Sequence, residues 1–206
     1  MIIIGSLLLS LIVSYFFPAY IKKSERNLIN SAKNIDSEKV FARSPILAIL
    51  IIFIPFLVFT VTSYDAVVPY IVLTLGIASY CDIKRNWIPD PVIYTLMLIS
   101  MIAIKIDHSH SLEFYLLNCL AFITPYILIN ILTHMHSRQI MFCDGDIYLL
   151  LSLSFTITPL AGVLVTTASI FFSVIYTKVN KTNNVAFIPF VSLSYCLVYF
   201  HTFVFQ

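Results

Sequence analysis

Apolar runs occupy most of this chain, and they leave few folds open to it. Eight stretches are nearly free of charge: Ile2–Tyr20, Pro45–Ser63, Ala66–Cys81, Pro91–Ile106, Leu112–Leu132, Ile147–Thr158, Leu160–Thr177 and Val185–Phe205. A helix of about 20 apolar residues crosses the ~30 Å hydrocarbon core of a bilayer. Inside that core every backbone polar group must be satisfied within the protein. Of the residues, 60% are hydrophobic and 11% charged, against roughly 25% charged in a soluble domain. The chain therefore reads as all-α, a single polytopic membrane domain over residues 1–206 with about eight transmembrane helices. The sixth and seventh runs are short for two spans and are broken by "TITP" at Thr156–Pro159. Seven spans is the alternative count, with a short hairpin shielded by protein at that place. The first run has no basic residue before it and no small-residue cleavage pattern after it, so it reads as a retained span.

Orientation follows from lysine and arginine, which accumulate on the cytoplasmic side. With eight spans and the N-terminus outside, Lys22, Lys23, Arg26, Lys33, Lys39, Arg43, Lys84, Arg85, Arg138, Lys178 and Lys181 all fall on the inner side. Of the twelve basic residues only Lys105 falls outside. Residues 21–44 then form a cytoplasmic loop of mixed charge, read as a topology determinant.

Four carboxylates gather on that inner side. Asp82 ends the third run, and Asp90 lies between two prolines in the same loop. Asp144 and Asp146 flank Gly145 just before the sixth run. Charge near a bilayer core costs several kcal/mol, roughly, so two loops that each bring an aspartate to the boundary need a reason. Two carboxylates brought close cannot both ionise easily, so one keeps a proton. The ionised member can take a proton from water that attacks a carbonyl, while the protonated member polarises the carbonyl and protonates the leaving amine. That is metal-free aspartyl peptidase chemistry. The plain alternative is that Asp146 caps the following helix and Asp82 pairs with Lys84 or Arg85.

Other patterns carry less. The pairs His108/His110 and His134/His136 fall on opposite sides and lack further ligands, so no metal site is assigned. Cys143 with His134 or His136 has no orienting third group. The four cysteines, Cys81, Cys119, Cys143 and Cys196, make no C-x-x-C. No phosphate loop, dinucleotide fingerprint or nucleic-acid stripe occurs.

Three segments resemble the type IV prepilin peptidases. "DIKRNWIP" (Asp82 to Pro89) resembles their first aspartate motif, "CDGDIYLL" (Cys143 to Leu150) their G-x-G-D motif, and "AFIPFVSLSY" (Ala186 to Tyr195) the segment opening their last span. The resemblance implies a G-x-G-D-type intramembrane aspartyl endopeptidase that cuts the basic leader from type IV prepilins or pseudopilins. The cut lies at the cytoplasmic face of the bacterial inner membrane. It implies Asp82 and Asp146 as the catalytic pair, with Gly145, Pro89 and Pro189 supporting the site. Gly145 would let backbone and substrate approach closely. Asp90 and Asp144 suggest partners for a basic leader. The peptidase reaction needs no cofactor. S-adenosylmethionine would be one only if the N-methylation that many members perform is retained. Cys143 stands where the family has glycine, Asp90 where it usually has asparagine, and Tyr148 where it often has lysine. The 21–44 loop has none of the cysteines of the zinc module found in larger members, so the chain resembles a compact form. Expected partners are prepilin-like substrates and the lipid bilayer, with no nucleic acid. Two other classes are a proton-coupled transporter, whose acids would lie nearer the midplane, and a non-catalytic subunit of a pilus or secretion machine.

Overall fold

The computed structural model describes residues 5, 7–16, 44–63, 65–106, 111–137, 142–181 and 185–204. The 21–43 part of the inner loop, and His108 and His110, lie outside the described residues. Among the described residues the chain is helical, with no strand. Eight helices form among the described residues, one in each apolar run: α1 Leu7–Phe16, α2 Pro45–Thr62, α3 Val68–Arg85, α4 Asp90–Ile106, α5 Leu112–Ser137, α6 Asp144–Ser154, α7 Pro159–Asn180 and α8 Ile188–Val204. By length and composition α2, α5 and α7 are long and apolar enough to cross a membrane. α3 has 18 residues but ends in charge, and α4 and α8 have 17 each.

Helix ends follow local chemistry. Pro45, Pro69 and Pro159 sit in first turns, where the missing N–H would have no partner anyway. Asn86 and Lys181 stop α3 and α7 in left-handed conformation, with φ of 49° and 51°. Asparagine tolerates that region better than most residues, and the Asn86 N–H returns to the Asp82 carbonyl at 2.7 Å. The basic-Asn-Trp-Ile-Pro stretch is thus a helix stop followed by a short link to α4. Inside α2, Pro55 cannot donate to the carbonyl four residues before it, and the helix widens to a π-turn over Ile49–Phe53. α3 packs against this widened turn. A methyl at Gly76 would sit 2.7 Å from the Ile51 carbonyl oxygen, so only glycine allows the two backbones this close.

Six helices close a ring in the order α3, α4, α6, α5, α7, α8 and back to α3, with α2 packed outside on α3. One buried cluster draws on every member, including Leu75, Leu96, Tyr126, Leu150, Val165 and Tyr195. Lipid is as apolar as these side chains, so close packing and interhelical hydrogen bonds must hold the ring.

The short helix α6 shows how. Its 11 residues measure about 16 Å, half of a hydrocarbon core. α5 splints it. Asn118 on α5 donates to the Ser154 carbonyl at 3.1 Å and also to the Ile157 carbonyl, past the end of α6. Asn130 holds Phe142, before its start. Twelve residues of α5 separate the two asparagines, about 18 Å of rise, which matches the length of α6. Tyr199 of α8 donates to the Thr156 carbonyl at 2.6 Å. The "TITP" break is therefore satisfied by side chains, the condition for irregular backbone at membrane depth. α6 and α7 are thus separate helices that meet at this break.

Candidate active site

Asp82 lies in the last turn of α3, one residue beyond the apolar run Ala66–Cys81, and is 5% exposed. Its Oδ2 accepts the Ile188 N–H at 2.9 Å. Ile188 is the first residue of α8, and Pro189 the second. A helix N-terminus presents unpaired N–H groups and partial positive charge. The Ile-Pro-Phe segment thus aims the start of α8 at Asp82, across 106 residues of chain. Burial pushes the carboxyl up to about 6, and the Ile188 and Phe187 amides hold it from rising further.

Asp146 lies in the first turn of α6, one residue before the apolar run. The helix begins at Asp144, three residues earlier than the hydropathy places it. Cys143 is its N-cap, with φ −70° and ψ 160°. This is extended backbone that any residue adopts, and the side chain is exposed, so cysteine in the place of glycine costs no strain. The Cys143 N–H donates to Asp146 Oδ2 at 3.0 Å, the return arm of a capping box. Capping is therefore part of what Asp146 does. The half-buried carboxyl is pushed up to about 7, first by burial and then by the charge of Asp82. The two aspartates are electrostatically coupled. Amides therefore favour the charged form of Asp82, and the Asp82 charge favours the protonated form of Asp146.

The other sequence-predicted residues surround the pair unequally. Gly145 faces α4, where an added methyl would meet only Ile93 Cδ1, at 3.9 Å. Pro89 and Ile88 are buried in the link between α3 and α4. Asp90 and Asp144 are exposed, each the first residue of its helix, and those two helices pack together. The Cys143 thiol is pushed up by burial and by Asp146, Asp82 and Asp144, which disfavours a thiolate nucleophile. His134 and His136 are exposed at the end of α5. Among the described residues, no three of His, Cys, Asp and Glu gather as metal ligands.

Several contributors were not visible in the motifs. Phe142, Phe187 and Tyr126 form a ring cluster, with centroids 4.6 Å apart for Phe142–Phe187, 5.4 Å for Tyr126–Phe142 and 5.8 Å for Tyr126–Phe187. Phe142 immediately precedes Cys143, and Phe187 immediately precedes Ile188. The cluster therefore ties the segment holding Asp146 to the segment holding Asp82. Asn130 adds a polar tie. Its one sequence signal is an amide inside the apolar "PYILINIL".

The model of the type IV leader peptidase family matches residues 69–178, more than half of the chain, and the match contains both Asp82 and Asp146. No curated protein and no solved structure matches the chain.

Proposed function

The chain belongs to the type IV leader peptidase family, and from that premise we propose that this helical membrane protein is an aspartyl endopeptidase acting through Asp82 and Asp146. Its substrates are type IV prepilins or pseudopilins, cut between basic leader and apolar helix at the cytoplasmic face of the bacterial inner membrane. One observation carries the reading: two carboxyls, one at the end of α3 and one at the start of α6, each accept a backbone N–H.

In this mechanism Asp82 begins ionised and Asp146 protonated. Water gives a proton to Asp82, and its oxygen bonds to the scissile carbonyl carbon. The carbonyl oxygen takes the electron pair as an oxyanion held by the Asp146 hydroxyl. The C–N bond then breaks as the carbonyl re-forms, and Asp146 protonates the departing nitrogen. The pair ends with the same single proton, now on Asp82, and exchange with solvent restores the start. No cofactor takes part in these steps.

The test is cleavage of a prepilin co-expressed with this protein in cells lacking their own leader peptidase. The expected product is the pilin shortened by its leader, with a new N-terminus at the apolar helix, read by mass spectrometry. Full-length prepilin beside membrane-inserted protein would overturn the reading.

The carboxyl positions add a pH expectation. The competent form carries one proton on the pair, so cleavage should peak between about 6 and about 7. Below that window both carboxyls are protonated and no base remains. Above it both are ionised and no acid remains. Initial rates across pH 4.5–9 in proteoliposomes would check this (roughly the span over which such limbs appear). A rate that keeps rising above pH 8, roughly, speaks against a shared proton.

Asp90 and Asp144 suit the leader. Exposed carboxylates attract lysine and arginine by up to about 1 kcal/mol per pair. Replacing both by asparagine should raise KM for a basic-leader prepilin about three- to tenfold with kcat unchanged, and added salt should shrink the difference. Equal KM for the two proteins would remove this part of the proposal.

A further inference from the structure

Two of the amides that hold the aspartates, those of Cys143 and Ile188, follow residues whose rings meet, Phe142 and Phe187. Asn130 commits both ends of its side chain to Phe142. Its Oδ1 accepts the Phe142 N–H at 2.8 Å and its Nδ2 donates to the Phe142 carbonyl at 2.8 Å. An amide that meets a backbone donor and acceptor together has one orientation available, and it fixes the backbone it meets. The next residue, Cys143, donates its N–H to Asp146 Oδ2 at 3.0 Å. The ring of Phe142 lies 4.6 Å from that of Phe187, and the residue after Phe187 donates its N–H to Asp82 Oδ2 at 2.9 Å. Tyr126 lies one turn before Asn130 on the same face of α5 and packs on both rings. So α5, which contributes neither aspartate, grips the residue that precedes the Asp146 donor and packs on the residue that precedes the Asp82 donor.

We infer that Asn130 is a positioning residue of the aspartate pair, setting the direction of the Cys143 N–H toward Asp146 and, through the Phe142 ring, the approach of α8 to Asp82. The inference rests on the reading of the pair as catalytic. It differs from a plain staple for the loop before α6, which would affect how much protein folds and leave each folded molecule unchanged.

The experiment compares wild-type, Asn130→Leu and Asn130→Asp proteins, purified in detergent and assayed on prepilin. Rates are divided by the folded fraction. Leucine removes the two hydrogen bonds to Phe142. Aspartate keeps the shape and the acceptor for the Phe142 N–H while replacing the donor. For Asn130→Leu, kcat should fall about tenfold while KM stays within about twofold, the pattern of a loss felt in the transition state. The alkaline limb of the pH–rate profile should also move to higher pH, because a misaimed Cys143 N–H no longer favours the charged form of Asp146. Asn130→Asp should fall between the other two in kcat. A lowered unfolding midpoint with wild-type kcat per folded molecule and an unmoved limb would overturn the inference. If Asn130→Leu does not accumulate, Asn130→Asp decides alone, and wild-type kcat with a wild-type limb rejects the positioning role. Wild-type protein that does not cleave, or cleaves without Asp82 and Asp146, would instead reject the functional reading, and this inference with it.

Discussion

Replacing either Asp82 or Asp146 by asparagine is expected to leave co-expressed prepilin with its leader attached. Asparagine neither accepts the proton of the attacking water nor gives one to the leaving nitrogen, and acid–base catalysis of this kind supplies about 10²–10⁴-fold in rate. The fold should survive. An asparagine at position 82 keeps a carbonyl oxygen where Oδ2 accepts the Ile188 N–H, and one at 146 keeps an acceptor for the Cys143 N–H. Stability should move in the opposite direction to activity. Both carboxyls are raised by burial, to about 6 and about 7, so the folded state holds their protons more tightly than the unfolded chain does. Stability from this source is present at low pH and is lost as pH rises through the folded values. Asparagine carries no such loss, so each variant should unfold no earlier than the wild type at pH 8 (roughly one unit above the pair). Thermal unfolding in detergent, run beside immunoblots of prepilin processing, separates the two effects. Complete processing by either variant would remove that residue from the proposed catalytic pair. Transport or a scaffold role would make the substitutions neutral for any cleavage seen.

What the sequence made legible follows from the range of each interaction. The eight apolar runs each became one helix, because hydropathy reports membrane depth directly. It does not report helix ends. α3 runs past Cys81 to Arg85 because Asn86, not polarity, stops it. α6 starts at Asp144 because the Cys143–Asp146 cap starts it. Asp82 and Asp146 stood out because a carboxylate at the edge of an apolar run is costly. The resemblance supplied Pro189, which is the second residue of α8, next to the Ile188 donor. The partners of the pair stayed hidden. The Asp82–Ile188 contact joins residues 106 apart, and no local pattern encodes it. Asn118 and Asn130 looked like isolated amides in an apolar run, and only the assembled ring shows them holding the two ends of a half-length helix.

Gly145→Ala is expected to produce a folded protein that hardly cuts, with prepilin processing down about 100-fold, the scale of a misplacement near 1 Å at a reacting centre. Gly76 and Gly145 differ in what surrounds them. At Gly76 a methyl would lie 2.7 Å from the Ile51 carbonyl oxygen, so the packing of α2 on α3 accounts for that glycine completely. At Gly145 the same methyl would meet only Ile93 Cδ1, at 3.9 Å, an ordinary contact. The backbone there is helical and not left-handed, so conformation does not demand glycine either. Alanine is the better helix former by up to about 1 kcal/mol, and the variant should unfold at the wild-type temperature or above. Among the described residues nothing then explains a glycine between Asp144 and Asp146. The remaining reason is a molecule that must pass close to the backbone there, which in the proposed reaction is the extended substrate segment between leader and apolar helix. A stable, inactive Gly145→Ala protein would assign the glycine to the substrate. An alanine variant that processes prepilin at the wild-type rate would show that substrate does not approach α6 at this point, and the scissile bond would have to be presented from the α3 side of the pair.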